Sequence, residues 1–413
     1  MKDIYILGAG MTPFGKQPEQ TVKSLTQAAV NGAIEDAGIA PGQIGAAYFA
    51  NTGQGLLEGQ QMVRGQIALR AMGLQSLSVV NVENACASAS SALQLACHAV
   101  AAGQTPVALA VGAEKMAIDD RQKMFSIFDT AWDVTVADES YRRLQAMVGD
   151  PPADPSALSQ RSLFMDIYAF LARLHMDHFG TTQEHLAMVA AKNHTHSVHN
   201  PLSQYRQAMT VDEVMAARPI SWPLTLPMCA PVSDGAAAAI VCHGDQLTAA
   251  QKKRAVPVLA CEIGIGSERK PEQFDQHLCK LIADRAYQRA GIGPQDISLA
   301  EVHDATAFAE IQQTENLGFC ELGGGGALVA SGATALGGRI PVNPSGGLQS
   351  KGHPIGATGL AQVVELVTQL RGEAGKRQVE NCQFAMAENG GGFHGYEEAV
   401  AAITILQKPN PCQ

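Results

Sequence analysis

The stretch AIEDAGIAPGQIGAAYFAN at residues 33–51 is matched by AYQRAGIGPQDISLAEVHD at residues 286–304. In each copy a helical run stops at a glycine, a proline turn follows, and an apolar strand comes next. The shared AGIxPxxI pattern indicates gene duplication, because one helix–strand unit recurs far along the chain. We therefore predict an α/β protein with two similar halves, residues 1–250 and 251–413, each with helices packed on a mostly parallel sheet.

A stretch of different composition, about residues 117–225, lies between the elements that the halves share. It is charged, contains many Met and His residues, and includes a predicted turn, GDPPADPSA, at 149–157. SLFMDIYAFLARLHMDHFG (162–180) has apolar residues at helical spacing before a terminal glycine, and GTTQEHLAMVAAKNHTHS (180–197) begins a second helix at a Thr cap. We interpret this stretch as an inserted, mainly helical loop domain over one half, near the carboxyl ends of the strands.

The composition limits the classes of function. The chain has 413 residues, 46% hydrophobic and 16% charged, with a formal net charge of −10. The acidic balance and the lack of a Lys/Arg run argue against nucleic-acid binding. They leave open a small polyanion such as coenzyme A, which needs only a few cations and backbone N–H groups.

The cysteines and the N-terminus suggest a cytoplasmic protein. The nine cysteines are scattered without a CxxC pair, so we expect reduced thiols and neither a disulfide framework nor a zinc site. The start, MKDIYILGAGMTPFG, lacks the cationic segment and the cleavage site of a signal peptide. No apolar run approaches the roughly 18 residues that span a bilayer.

Cys86 is the first candidate for chemistry. The segment SVVNVENACASASSALQLACHAVAAG (78–103) runs from a β-branched strand through a turn into a helix of small residues, with Cys86 at or near the helix N-terminus. The helix dipole and free N–H groups there should lower the pKa of the thiol and make the sulfur nucleophilic. The alternative is a buried structural cysteine, which we expect Cys97 to be.

Three further strings carry polar groups beside glycines or strand ends. NPSGGLQSKGHPIGATGLAQVVELVTQLRG (343–372) places His353 in a glycine-rich loop before a helix, where it can act as a base. In AMAENGGGFHG (385–395) the glycines can offer N–H groups to an oxyanion, and Glu388 can move a proton or be a solvated turn residue. EVHDATAFAEI (301–311) ends the repeated strand with a His-Asp pair, in which the aspartate could be a helix cap.

Together these strings closely resemble the thiolase family over nearly the whole chain. GHPIGATG with a cysteine helix of the ACASAS type is a specific pair. The insert, the PLTLPMCAPVSDGAAAAIV string and the HDA at 303–305 resemble the sterol-carrier-protein type of thiolase. The resemblance implies the thiolase fold, with two duplicated five-layered α/β/α/β/α halves and an inserted, mainly helical loop domain that binds CoA.

The resemblance also implies roles for individual residues. Cys86 would be the acylated nucleophile and His353 its base, and His303 would hold a water or polarise a thioester oxygen. The N–H groups of Cys86 and Gly390 would form an oxyanion hole.

The resemblance also extends to ligands and partners. We expect Ser233, Asp234 and Gly235 to contact CoA, which would be a substrate; no cofactor would be tightly bound. A homodimer or homotetramer, with a small OB-fold protein as a further partner, is expected.

The chain departs from the family where a second cysteine is expected. Most thiolases have that cysteine ahead of the glycine triplet, where this chain has Glu388, and the sterol-carrier type has it where this chain has Ala305. The family uses the cysteine to move the α-proton of the second acyl group. Glu388 could replace it if its pKa is raised, whereas Cys382 and Cys320 are distant along the chain.

Three functions follow as alternatives. The first is an acyl-CoA C-acyltransferase that works through an acyl-Cys86 thioester. The second is a specialised relative that uses a non-CoA acceptor or performs retro-aldol cleavage, which the lost cysteine favours. The third is a non-catalytic acyl-CoA-binding or scaffold subunit, against which the retained Cys86 and His353 argue.

Overall fold

The computed structural model describes residues 3–148 and 162–410. The turn predicted around 149–157 and Cys412 lie outside these residues.

The strands, in chain order, are β1 (Ile4–Met11), β2 (Ala46–Ala50), β3 (Ser78–Val82), β4 (Val107–Glu114), β5 (Pro219–Ser221), β6 (Leu224–Thr225), β7 (Gly235–His243), β8 (Val256–Ile265), β9 (Leu299–Glu301), β10 (Phe384–Gly391) and β11 (Val400–Gln407). The α-helices are α1 (Val22–Ala37), α2 (Gln54–Glu58), α3 (Arg64–Ala71), α4 (Ser88–Ala101), α5 (Arg121–Ser126), α6 (Ala137–Ala146), α7 (Leu163–Phe179), α8 (Gln183–Ser197), α9 (Val211–Met215), α10 (Ala249–Lys252), α11 (Leu278–Ala290), α12 (Ala307–Asn316), α13 (Gly325–Ala330), α14 (Gly347–Lys351) and α15 (Thr358–Leu370).

The repeated sequence forms the same unit twice. Helix α1 ends at Gly38, which has a left-handed backbone with φ 63°, and α11 ends at Gly291 with φ 72°. A 3₁₀ turn at Pro41–Gln43 leads into β2, and one at Pro294–Asp296 leads into β9. Glycine adopts the left-handed conformation without a Cβ clash, so it ends both helices in the same way. The predicted duplication is confirmed.

The two halves share one sheet, in the order β3-β2-β4-β7-β1-β8-β11-β10-β9. They meet where β1 pairs with β8, and the order outward from this junction is equivalent on both sides. Parallel pairs join β2 to β3 and β4, and β9 to β10, while β7 and β11 are antiparallel to both of their neighbours. The sheet is therefore mixed, and the prediction of a mostly parallel sheet was wrong because each half inserts one reversed strand.

The layers follow from the apolar faces of the two half-sheets. Helices α4 and α15 pack between the half-sheets in one core, while α1 and α11 cover the two outer faces in separate cores. This gives the order α/β/α/β/α across both halves together. The central helices approach closely, because a Cβ on Gly359 would lie 2.1 Å from Ser90 Oγ. Close packing of α4 on α15 holds the segments before these helices near each other, and those segments carry Cys86 and His353.

The insert is mainly helical and shares a core with residues of the second half. Helices α6, α7 and α8 pack with Phe308 and Phe393 of the second half. Helix α7 begins at a Ser162 cap and ends at Gly180, and α8 begins at a Thr182 cap, so both predicted helices are confirmed. The predicted boundary between residues 250 and 251 falls within α10 and stays a prediction. Within the described ranges, none of the helices is both long and apolar enough to cross a membrane.

Candidate active site

Cys86 lies in the turn between β3 and α4. Ala85 has a left-handed backbone with φ 47°, and Ser88 holds the turn because its Oγ accepts the Asn84 N–H at 2.8 Å and donates to Ala85 O at 2.6 Å. The position just before a helix agrees with the sequence. The predicted low thiol pKa does not, because burial raises the pKa of Cys86 to about 12, although the N–H groups of Gly392 and of Cys86 itself act to lower it. The free thiol is therefore protonated at neutral pH.

His353 lies between α14 and α15 with its ring orientation fixed. Its backbone N–H donates to Ser233 Oγ at 3.0 Å, and its ring Nδ1 lies 2.7 Å from Thr358 Oγ1. The Thr358 hydroxyl donates its single proton to Pro354 O at 3.0 Å, so it accepts a hydrogen bond from His353 Nδ1–H. Burial, and then the nearby His303, hold the pKa of His353 well below its ordinary value. The ring is neutral, and its Nε2 is left with a lone pair.

His303 follows β9 and has the opposite tautomer. Ser90 Oγ donates to Asn389 Oδ1 at 2.8 Å, so the Asn389 amide nitrogen donates to His303 Nδ1 at 3.0 Å. The proton of the neutral ring is therefore on Nε2. Burial lowers the pKa of His303 to about 4, and its backbone N–H donates to Glu388 Oε2 at 2.8 Å.

The fold brings these three residues together. The Cys86 sulfur and one ring nitrogen from each histidine lie within 4.8 Å of one another, and the two ring centroids are 5.1 Å apart. One neutral histidine thus offers a proton acceptor and the other a proton donor beside the same sulfur. This arrangement can deprotonate a thiol and hydrogen-bond an oxygen at the same time.

The aspartate beside His303 caps a helix other than its own. Asp304 accepts the Leu348 N–H at 2.6 Å and the Gln349 side-chain amide at 2.8 Å, at the start of α14. Helix α12, which follows Asp304, begins at Thr306 without a side-chain cap. Asp304 therefore helps to fix the glycine loop ahead of His353.

The glycine triplet reaches the site through β10. Gly390, Gly391 and Gly392 line the same cavity as Cys86, and the Gly392 N–H hydrogen-bonds the thiol. Sequence reasoning had named Gly390 but not Gly392. Glu388 is fully buried on β10 and does not belong to the cavity lining in the part of the chain that the structure describes. Burial, and then Glu398, raise its pKa to about 8.

Ser233, Asp234 and Gly235 lie behind the cavity lining. Asp234 accepts Lys115 Nζ at 2.6 Å and the backbone N–H groups of Gln17, Met116 and Ala117 at 2.7–2.9 Å. Ser233 holds the His353 backbone, and a Cβ on Gly235 would lie 2.3 Å from the Phe14 ring. These contacts position the site, so a direct contact of the three residues with CoA stays a prediction that their burial disfavours.

The cavity in front of Cys86 has a volume of about 1230 Å³. Much of its wall is apolar and comes from the insert, including Phe125, Phe128, Phe164, Met165, Tyr168 and Met209. Lys16, Arg121 and Arg218 also line it. Glu83, Asp119 and Glu213 line it as well, so the wall carries both signs of charge and the cavity can accept a long, partly apolar ligand with polar or charged groups.

Glu398 and two cysteines were not recognised in the sequence as parts of this region. Among the described residues, Cys229 is the lining cysteine besides Cys86, whereas Cys320 and Cys382 are outside the lining. Glu398 lines the cavity and packs on Gly390, because a Cβ there would lie 2.6 Å from Glu398 Cγ. Behind it, Cys279 Sγ lies 3.8 Å from Glu398 Oε2 and 3.5 Å from Glu388 Oε1. Only the fold could reveal this grouping, since it joins α11 to the end of the chain.

Among the residues that the structure describes, two sets of side chains bring metal-ligand atom types within 4.8 Å of one another. They are Cys86, His303 and His353, and His277, Cys279 and Glu398. A thiol binds a metal as the thiolate, whereas burial raises the pKa of both Cys86 and Cys279. We assign neither set to a metal, and the expected absence of a metal stays a prediction.

Comparison with known proteins gives two family matches. The family model described as "Thiolase, N-terminal domain" matches residues 4–216, and "Thiolase C-terminal domain-like" matches residues 270–407.

Relatives of similar sequence span most of the chain. The acetyl-CoA acetyltransferase of Methanothermobacter thermautotrophicus is 37% identical over 99% of this chain and 100% of its own length. Human sterol carrier protein 2 is 34% identical over 94% of this chain and 70% of its length. The non-specific lipid-transfer protein-like 2 of Caenorhabditis elegans is 35% identical over 94% of this chain and 92% of its length.

Two solved structures share the fold. The Ltp2-ChsH2(DUF35) aldolase has a TM-score of 0.78 and 22% identity, and covers 99% of this chain and 98% of its own. Human mitochondrial 3-ketoacyl-CoA thiolase has a TM-score of 0.69 and 16% identity, and covers 98% and 99%. At these identities the likeness concerns the fold.

Proposed function

Because the chain belongs to the thiolase family, we propose that it is an acyl-CoA C-acyltransferase that carries the acyl group on Cys86. The observation that carries the proposal is the grouping of one thiol with two neutral histidines of opposite tautomer at a large cavity. The enzyme would make or cleave a carbon–carbon bond by Claisen-type chemistry.

Acylation begins with the protonated thiol. Since burial raises the pKa of Cys86 to about 12, the sulfur needs a base as it attacks. His353 Nε2 accepts the thiol proton, the sulfur bonds to the carbonyl carbon of the acyl-CoA, and the C–S bond to CoA breaks. The proton on His353 then passes to the CoA sulfur, so that free CoA leaves and acyl-Cys86 remains.

The oxyanion of this step needs hydrogen-bond donors near Cys86. The N–H groups of Cys86 and Gly390 are the donors implied by the family resemblance, and the Gly392 N–H lies close enough to bond the thiol. His303 Nε2–H is a further donor, which would hydrogen-bond the thioester oxygen of the second substrate. Fixed donors in a buried site stabilise developing negative charge more strongly than water does.

The cavity suits a CoA thioester as substrate. Lys16, Arg121 and Arg218 offer positive charge to the phosphates, and the apolar wall of the insert suits the acyl group. CoA would come and go with each cycle, without a tightly bound cofactor.

A second candidate function is cleavage or acyl transfer that does not end on CoA. The observation that favours it is the absence of a cysteine at both usual positions, now Ala305 and Glu388. A homodimer or homotetramer, a small OB-fold partner and a cytoplasmic location remain predictions. A non-catalytic subunit is the least supported alternative, since it gives no role to the tautomer-fixed histidines.

Intact-mass spectrometry tests the proposal. The wild type and Cys86→Ala are incubated with acetyl-CoA or a 3-ketoacyl-CoA, and CoA is then added. We expect a wild-type adduct of acyl mass, absent from Cys86→Ala, which CoA discharges to a new acyl-CoA. An adduct that CoA cannot discharge would support the second candidate, and no adduct with either donor would refute the covalent mechanism for these substrates.

A further inference from the structure

Claisen chemistry needs a group that moves an α-proton, and its identity is the open point of the proposed function. Ala305 has no titratable group. Glu388 is outside the described cavity lining, where its carboxyl accepts the His303 N–H and the Cys279 S–H. Both positions used by the family are therefore without a proton-transfer group that faces the cavity.

We propose that Glu398 is the catalytic residue that removes and returns this proton. It lines the cavity, is 6% exposed, and packs on Gly390, the glycine expected to contribute to the oxyanion hole. It is therefore adjacent to the backbone that is expected to contact the acyl group. The inference rests on the proposed function and names the residue that would complete it.

The surroundings of Glu398 hold its carboxyl without neutralising it. Oε1 accepts the Gln313 amide at 3.1 Å, and His277 Nε2 lies 3.4 Å from Oε2. His277 Nδ1 accepts the Cys279 N–H, and burial keeps the pKa of this histidine well below its ordinary value, so Nε2 carries the proton of a neutral ring. His277 Nε2 makes no hydrogen bond at this distance, so the Gln313 amide is the fixed donor of the two, and among the described residues no lysine or arginine pairs with the Glu398 carboxyl.

The charged and titratable groups that face Glu398 are Tyr168, Arg269, His277, Cys279, Glu388 and Glu397. Burial, then the charge of Glu397, raise the pKa of Glu398 to about 7, against the lowering effects of its own N–H, Arg269 and Cys279. A carboxyl with this pKa exchanges protons readily near neutral pH.

Cys229 is one competing group, since it also lines the cavity. Its S–H donates to Thr225 O at 3.5 Å, and burial raises its pKa to about 12. The thiol is therefore protonated and its proton is held by a backbone carbonyl. Glu398 is the better base of the two.

The step balances without a further reactant. The Glu398 carboxylate takes a proton from the α-carbon of the second acyl-CoA, and the resulting carbanion bonds to the carbonyl carbon of acyl-Cys86. The bond from that carbon to sulfur breaks, and the Cys86 thiolate takes back a proton, which returns Glu398 to its ionised form. In the cleavage direction the same steps run in reverse.

Two measurements separate this role from acylation. The first is acyl-Cys86 formation by intact mass, and the second is deuterium incorporation into the α-carbon of the CoA thioester in D₂O. For Glu398→Gln we expect adduct formation within about 3-fold of the wild type and exchange at least about 100-fold slower. The wild-type exchange rate should increase as pH rises through about 7. This increase should be absent from Glu398→Gln and retained in Glu398→Asp.

Glu388→Gln and Cys229→Ala are the matched variants. Glu388→Gln keeps an oxygen that can accept the His303 backbone N–H. It should therefore slow acyl-Cys86 formation and α-proton exchange by the same small factor. Loss of exchange in Glu388→Gln or Cys229→Ala, with exchange retained in Glu398→Gln, would overturn the proposal. So would a wild type that forms the adduct without exchanging α-protons. A wild type that exchanges protons without forming an adduct would refute the covalent mechanism but leave Glu398 as the base.

Discussion

Thr358→Val tests whether a single hydroxyl keeps His353 in the tautomer that can act as a base. The Thr358 hydroxyl accepts His353 Nδ1–H at 2.7 Å and donates to Pro354 O at 3.0 Å. Valine has nearly the same shape but cannot accept, so Nδ1–H would be buried without a partner. The ring would then favour a proton on Nε2, and this nitrogen could no longer accept the thiol proton of Cys86.

The expected decrease in the acylation rate of Thr358→Val follows from the lost hydrogen bond. Leaving a buried donor without a partner costs about 1–3 kcal/mol. If this whole penalty falls on the tautomer that acts as base, acylation slows by about 5-fold to about 150-fold, since about 1.4 kcal/mol corresponds to a factor of ten. The loss should appear in the acylation rate under saturating acyl-CoA, because Thr358 lies outside the described cavity lining.

The assay is the rate of acyl-Cys86 formation, measured by acid quench and intact mass. Thr358→Ser is the matched control: it keeps the hydroxyl and should acylate at nearly the wild-type rate. Thermal unfolding of each variant separates loss of rate from loss of fold. The reasoning would be refuted if Thr358→Val acylated as fast as the wild type, or if Thr358→Ser were as slow as Thr358→Val.

Three further predictions concern groups around the site. Asn389→Leu removes the donor to His303 Nδ1, and we expect kcat/KM to fall about 5-fold to about 150-fold; an unchanged value would contradict the assigned tautomer. Asp234→Ala leaves Lys115 buried without its carboxylate, and denaturant unfolding should show a loss of about 3–5 kcal/mol, whereas a loss below about 1 kcal/mol would mean that the pair contributes little. Burial raises the pKa of Glu388 to about 8, above its ordinary value, so the folded state keeps a proton that the unfolded chain releases, and stability falls as pH rises from about 4.5 to about 8. Glu388→Gln should reduce this fall in thermal unfolding between pH 5 and pH 8, and an identical pH dependence would show that Glu388 is not protonated in the folded state.

The duplicated halves could be predicted because their signals are local. A glycine that ends a helix, a proline turn and an apolar strand each act over a few residues, so two copies were visible without knowledge of the fold. The direction of each strand depends on pairing across the sheet, which is why the antiparallel strands β7 and β11 were missed. The pKa of Cys86 was missed for a related reason: the helix position is visible in sequence, whereas the burial that raises the pKa is not.

Prediction from local sequence signals is also limited for single side chains at the site. In the string ENGGG, Glu388 and Asn389 are neighbours, but successive residues of a strand point to opposite faces. Asn389 therefore contacts the His303 ring, while the Glu388 carboxyl contacts the His303 backbone N–H and Cys279. Alternation along the strand could have separated the two residues in advance, but not which face meets the cavity.

A carboxyl in place of a thiol would change the conditions under which the α-proton moves. An ordinary thiol has a pKa of about 8.5, so only a few per cent is thiolate at pH 7, whereas Glu398, with a pKa raised by burial to about 7, is about half ionised there. The carboxylate is the weaker base, which makes each proton removal less favourable, but a larger fraction of the enzyme is ready to react. The Gln313 amide acts in the same direction, because it donates to Glu398 Oε1 and so stabilises the ionised form. If Glu398 is the base, C–C bond chemistry in this protein should therefore persist at lower pH than in a relative that uses a second cysteine.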